Sequence, residues 1–177
     1  MDSEQLKTSS LWWLRLIRRC PLLVFEFGFE WCARPDVYGI DERRFAVEVE
    51  VKVSAADLKR ELCKQKYSRP ATYRPGLPRQ FYLCVPADLV DLAMQIKRPE
   101  WGVLYPNGSY WAVGVAQLTC KAVAKPDPNA ERLTKSRCLK LVARQSIMLA
   151  DAMATNFLLR ESLSLVAQQL KERKEKP

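Results

Sequence analysis

Apolar and polar residues alternate most strictly along Phe45-Ala46-Val47-Glu48-Val49-Glu50-Val51-Lys52-Val53. A period of two predicts a β-strand, with Val47, Val49, Val51 and Val53 on one face and Glu48, Glu50 and Lys52 on the other. Upstream, Leu6, Leu11, Trp12, Leu14 and Ile17 give residues 3 to 19 an apolar helical side, and Pro21 stops that helix. Leu22 to Phe29 is rich in β-formers and predicts a strand carrying Glu26, with Glu30 just beyond it. A strand at Pro35-Asp36 follows, then a turn near Gly39 to Glu42.

Ser54-Ala55-Ala56-Asp57 resembles a capping box with aspartate in the acidic place, predicting a helix from Ala55 to Tyr67. Pro70, Pro75, Gly76 and Pro78 make 68–80 a loop. Phe81 to Val85, ended by Pro86, has the continuous apolar character of a buried central strand. A short helix is expected near Asp88 to Ile96. Strands at Trp101–Tyr105 and Ser109–Val115 flank Pro106-Asn107-Gly108, which predicts a hairpin turn. From about Leu133 to Glu172 the pattern is helical, with an apolar side that includes Leu139, Leu141, Ile147, Met148, Phe157 and Leu158.

This order of elements predicts an α/β (α+β) fold with a central mixed β-sheet flanked by helices and a long C-terminal helical region. The expected division is a domain over 1–135 and a helical extension over 136–177, packed on the core or forming a homodimer interface. Trp12, Trp13, Trp31 and Trp111 are expected in the core or at an interface.

Composition narrows the chemistry. The chain has 177 residues, 29 Lys+Arg against 20 Asp+Glu, and a net charge of +9, which favours a polyanionic partner. It contains no histidine, which excludes imidazole bases and histidine-ligated metal sites. The 6 cysteines include no Cys-x-x-Cys pair and read as reduced thiols. The apolar run from Leu11 to Phe29 is broken by Arg15, Arg18, Arg19, Pro21, Glu26 and Gly28, so no membrane span is expected. A cytoplasmic location is expected.

Asp36 precedes Glu50-Val51-Lys52 by fourteen residues, and this pairing is the strongest chemical signal in the chain. Phosphodiester cleavage needs charge neutralisation at the phosphate and an activated water. Mg²⁺ serves both needs and prefers carboxylate oxygens. Asp36 and Glu50 are the candidate carboxylate ligands, the main-chain carbonyl of Val51 a further one, and Lys52 the group beside the attacking water. The acidic-x-Lys triplet recurs at Asp57-Leu58-Lys59 and Glu172-Arg173-Lys174, but only Glu50-Val51-Lys52 lies on an alternating run after a Pro-Asp. The competing account makes Glu48, Glu50 and Lys52 the solvated face of an amphipathic strand.

With these residues in view, the chain resembles the PD-(D/E)XK nuclease superfamily. Within it, the likeness is to the small MmcB-like and phage-encoded nucleases related to the VRR-NUC group. The likeness runs from about Cys32 to Ser136 and rests on Arg34-Pro35-Asp36-Val37, Val49-Glu50-Val51-Lys52-Val53-Ser54, Asp57-Leu58-Lys59 and Cys63-Lys64-Gln65-Lys66-Tyr67. Phe81 to Pro86, Trp101 to Tyr105 and Lys121 to Lys125 extend it. The resemblance implies a restriction-endonuclease-like core, dependence on Mg²⁺ or Mn²⁺, and DNA as substrate. It gives Asp36, Glu50 and Lys52 the catalytic roles and implies a place in DNA repair or recombination, in a phage or prophage setting. Two features depart from the pattern: Tyr67 stands where phage relatives often carry histidine, and the 68–80 loop is longer.

Glu26 is an optional further carboxylate at the metal, with Glu30 and Glu4 as competitors. Between Asp57 and Gln80, seven basic residues face only Asp57 and Glu61, and Lys59, Arg60, Lys64, Lys66 and Arg69 are candidates for phosphate contact. Tyr67, like Tyr73, is a candidate for stacking on unpaired bases. The alternative function is a nucleic-acid-binding module that keeps the fold without hydrolysis. Binding alone predicts that Lys52→Ala weakens affinity modestly without a separate loss of turnover.

Overall fold

The computed structural model describes residues 1–25, 35–63, 77–112, 114–143 and 146. The chain divides into two compact units, Met1–Lys135 and Ser136–Pro177. In the first unit the elements are α1 (Ser3–Leu16), β1 (Leu22–Phe25), β2 (Val37–Ile40), β3 (Ala46–Val51), α2 (Ala55–Leu62), β4 (Gln80–Cys84), a 3-10 turn (Ala87–Leu89), α3 (Val90–Ile96), β5 (Gly102–Ala112) and β6 (Val115–Ala122). In the second unit, residues 136–143 are helical, and the rest of the expected C-terminal helical region lies almost wholly outside the described residues.

The fold is α/β, built on a six-stranded mixed sheet in the order β1-β2-β3-β4-β5-β6. β1, β2 and β3 form an antiparallel meander. α2 and α3 are the crossovers that let β4 and β5 add in parallel to β3, and β6 returns antiparallel on β5.

The two sheet faces carry separate cores, and period two on β3 decides which side chain goes to which. Val47, Val49 and Val51 join Tyr82, Cys84 and Leu104 beneath Leu6, Trp13 and Leu14 of α1. On the other face Phe81, Leu83 and Val103 pack with Leu58 of α2 and with Val90 and Ala93 of α3. Burial of Cys84 in the first core pushes its thiol up to about 12, and Cys20 is likewise pushed up to about 11, so both stay protonated and unreactive.

α1 presents a different stripe from the one expected. Trp12 and Ile17 are exposed, while Ser9, Ser10 and Trp13 are buried with Leu6 and Leu14. The sheet face is already filled by large side chains such as Tyr82, so small residues at the crossing let the helix approach. The Ser9 hydroxyl donates to the Gln5 carbonyl at 2.7 Å and accepts the Ala116 N–H at 3.1 Å, tying α1 to β6. Trp12 stacks instead on Trp111, with ring centroids 6.4 Å apart.

The hairpin turn is also displaced. β5 runs through Pro106-Asn107-Gly108, and the chain reverses between Ala112 and Val115, where Gly114 has φ +75°. Pro106 pairs with Leu118 and Tyr110 with Ala116, so the Asn-Gly step is accommodated as a bulge in β5. The Asn107 side chain accepts the Ser109 N–H at 3.0 Å, and Gly108 takes φ +88°. β4 pairs with β5 only as far as Leu104, so Pro106 sits where one side of β5 has no partner strand among the described residues. The turn after β2 likewise falls at 41–44, with Gly39 inside the strand.

Gly102 is required by close approach. A Cβ there would lie 2.3 Å from the Tyr82 ring and 2.8 Å from the Ala122 carbonyl oxygen. Gly102→Ala is expected to destabilise the protein by about 1–3 kcal/mol or more. Urea unfolding checks this, and an unchanged midpoint would contradict the close packing of β4 on β5.

Candidate active site

β2 and β3 bring the predicted chemistry to one end of the sheet. They are antiparallel, with Val37 opposite Val49, so Asp36 at the start of β2 lies beside the C-terminal end of β3. The Asp36 Oδ2 accepts the Val51 N–H at 2.8 Å, which fixes the carboxylate against that end. Within one residue of an antiparallel strand, N–H and C=O point to the same neighbour. The Val51 carbonyl therefore faces the Asp36 side, and the next residue in that register, Pro35, has no N–H to offer it. Lys52 faces the other way along the backbone, donating its N–H to the Cys84 carbonyl at 3.0 Å.

Glu48, Glu50 and Lys52 are 9%, 3% and 5% exposed, so this strand face is not a solvated surface. Lys52 is the hub of the site. Its Nζ lies 3.2 Å from Glu61 Oε2, 3.3 Å from Glu50 Oε1, 3.9 Å from Asp36 Oδ2 and 4.0 Å from Asp57 Oδ2. Asp36 and Asp57 are partly exposed at the rim, whereas Glu50 and Glu61 are buried.

Glu61 is the residue that sequence pattern alone does not single out as functional. It sits one helical turn after Asp57, so the two carboxylates share a face of α2 above Lys52. That i, i+4 spacing, beside a buried Leu58, was the available signal. The Ser54 hydroxyl accepts the Asp57 N–H at 3.2 Å and starts α2 immediately after β3, which aims this face at Lys52.

Crowding perturbs Asp36. Burial raises its pKa above the ordinary 3.8, the Glu50 carboxylate raises it further, and the Val51 N–H, Lys52 and Lys7 oppose the rise. Glu4 is highly exposed and pairs at 2.8 Å with Lys7, the same lysine whose charge acts on Asp36. Glu26 and Glu30 lie outside the described residues, as do Lys64, Lys66, Tyr67, Arg69 and Tyr73. Lys59 and Arg60 are exposed on α2, and Arg60 reaches Asp57 at 3.8 Å.

The donor set suits a hard divalent ion. Four carboxylates lie within 4.0 Å of one ammonium, an excess of negative charge that a cation relieves. Among the described residues no three acidic or cysteine side chains are already arranged to hold a metal ion. Asp36 and Glu50, with the Val51 carbonyl, would supply protein oxygens and leave other positions to water and phosphate, the pattern Mg²⁺ favours.

Comparison with known proteins reaches the fold. No family model matches the chain, and no curated protein matches it. Among solved structures, the chain is similar to a protein of unknown function from Silicibacter pomeroyi, with a TM-score of 0.56 at 17% identity over 86% of this chain and 89% of that one. Among the described residues no helix is long and apolar enough to cross a membrane.

Proposed function

We propose that the protein is a divalent-metal-dependent nuclease that hydrolyses phosphodiester bonds of DNA, with a restriction-endonuclease-like core of the PD-(D/E)XK type. The observation that carries this reading is the convergence of Asp36, Glu50 and a buried Lys52 at the end of β3. A lysine so deeply placed among carboxylates has little use as a solubilising charge, and its three donors suit holding a water or an anionic oxygen.

Asp36 and Glu50 would hold Mg²⁺ or Mn²⁺, joined by the Val51 carbonyl. Bound there, the ion neutralises phosphate charge and lowers the pKa of a bound water. Lys52 orients the attacking water and stabilises charge that develops on the phosphate. Asp36, at the rim, is the member of the pair nearer to solvent and so to entering substrate. The exposed Lys59 and Arg60 on α2, beside this end of β3, would meet the phosphate backbone.

The test is cleavage of labelled single-stranded, duplex, flap and junction DNA in Mg²⁺ or Mn²⁺. Cutting that EDTA stops supports the reading; tight DNA binding with no cutting of any substrate overturns it in favour of a binding module. A second expectation concerns the backbone contacts. Lys59→Ala/Arg60→Ala should weaken DNA binding similarly across sequences and reduce the salt slope by about 1–2. Binding isotherms at several salt concentrations check this, and an unchanged slope would remove these residues from the interface.

A further inference from the structure

The four carboxylates around Lys52 are not equivalent. Asp36 and Glu50 are the two assigned to the metal, and Asp57 is partly exposed and shares its charge with Arg60 at 3.8 Å. Glu61 differs from all of these: it is 0% exposed and makes the shortest contact to the Lys52 ammonium, at 3.2 Å. Resting on the nuclease reading, we infer that Glu61 is a positioning residue that holds the Lys52 ammonium at the end of β3 while Asp36 and Glu50 are engaged by the metal.

Charge and geometry both support the role. Adding a wholly buried carboxylate to an already acidic cluster costs desolvation and repulsion. Packing alone would favour a neutral side chain of the same size. The acid is compatible with the interior because it faces the ammonium. Lys52 has a long, flexible side chain, so two of its partners turning toward a metal would release it to other rotamers. Glu61 counters that release from a fixed base, because Leu58, three residues earlier on α2, is wholly buried in the core beneath the helix. Glu61 thus acts on the attacking water through Lys52 and touches neither the DNA nor the ion.

The experiment compares the full-length wild type with Glu61→Gln, Glu61→Asp, Lys52→Ala and the Lys52→Ala/Glu61→Gln double variant. The readouts are kcat and KM for DNA cleavage in Mn²⁺, Mn²⁺ affinity by calorimetry, and thermal unfolding. Glu61→Gln should lose kcat by about 100-fold, with KM and Mn²⁺ affinity unchanged. The double variant should be no slower than Lys52→Ala alone. Glu61→Asp keeps the charge but retracts it by one methylene, so it should lose kcat by about 10-fold while remaining folded.

Wild-type kcat in both Glu61 variants overturns the positioning role, and so do additive losses in the double variant. Lost Mn²⁺ affinity would make Glu61 a metal ligand and also overturn it. A wild type that cuts no substrate removes the nuclease reading and this inference together. Cleavage by the wild type with an unimpaired Glu61→Gln removes only the inference.

Discussion

Lys52→Ala is expected to reduce metal-dependent cleavage by about 100- to 1,000-fold and to destabilise the metal-free protein by about 3–5 kcal/mol. The two effects share one cause. Lys52 is buried between Glu50 at 3.3 Å and Glu61 at 3.2 Å, so its removal leaves two interior carboxylates without their common ammonium. For a chain of this size the loss should lower the unfolding temperature by roughly 10 °C in EDTA. Saturating Mn²⁺ should recover part of it, because an ion bound only to the folded state stabilises that state. Cleavage would stay low, since the ion replaces the charge but not the group that orients the water. Unfolding scans with and without Mn²⁺, beside cleavage rates, check both halves. A wild-type unfolding temperature in EDTA would show that Lys52 does not hold the carboxylates together.

Asp36→Asn should separate stability from function in the opposite direction. Asp36 has its pKa raised by burial first and by Glu50 second, so its ionised form is disfavoured by folding. The sign follows directly. Below the unfolded-state value near 3.8 the group is protonated in both states and exacts no penalty. As pH rises through the raised folded value, ionisation destabilises the fold, and that penalty persists at neutral pH. Asparagine cannot ionise and keeps an oxygen for the Val51 N–H, so Asp36→Asn should unfold at the wild-type temperature or above in EDTA. It should also lose the Mn²⁺-induced stabilisation and about 100-fold or more in cleavage, since partners outside the first coordination shell already cost about 10- to 100-fold. In the wild type, Mn²⁺ affinity should fall as pH drops into the range where Asp36 takes up its proton. Calorimetric titration at several pH values measures this, and a pH-independent affinity would place the ion elsewhere.

Much of the site was legible because β-strand periodicity is rigid. Val47, Val49 and Val51 on one face and Glu48, Glu50 and Lys52 on the other follow from the pleat alone, and the sheet reproduces that division. Val53, expected beside the other valines, lies beyond the end of β3 and is exposed. The spacing from Asp36 to Glu50 suits two antiparallel neighbours joined by a short turn, which is how β2 and β3 lie. Glu61 was not legible in this way. Its importance depends on α2 folding back over β3, and a glutamate on a charged helix ordinarily faces solvent. Pro106-Asn107-Gly108 misled for a related reason. Those residues permit a reversal but also permit a bulge, and the long pairing of β5 with β6 decides between them. The α1 stripe shifted because the face that meets the crowded sheet carries the small Ser9 and Ser10 at the crossing, between the large Leu6, Trp13 and Leu14.

The most direct measurement places wild type and Asp36→Asn side by side in Mn²⁺, with single-turnover cleavage of a labelled DNA panel, after each protein is shown to be folded and to bind DNA. The wild type should cut at least one substrate and stop on addition of EDTA, while Asp36→Asn binds the same DNA and leaves it intact. Equal cutting by both proteins, or intact DNA with both, would contradict a metal-dependent nuclease centred on Asp36, Glu50 and Lys52.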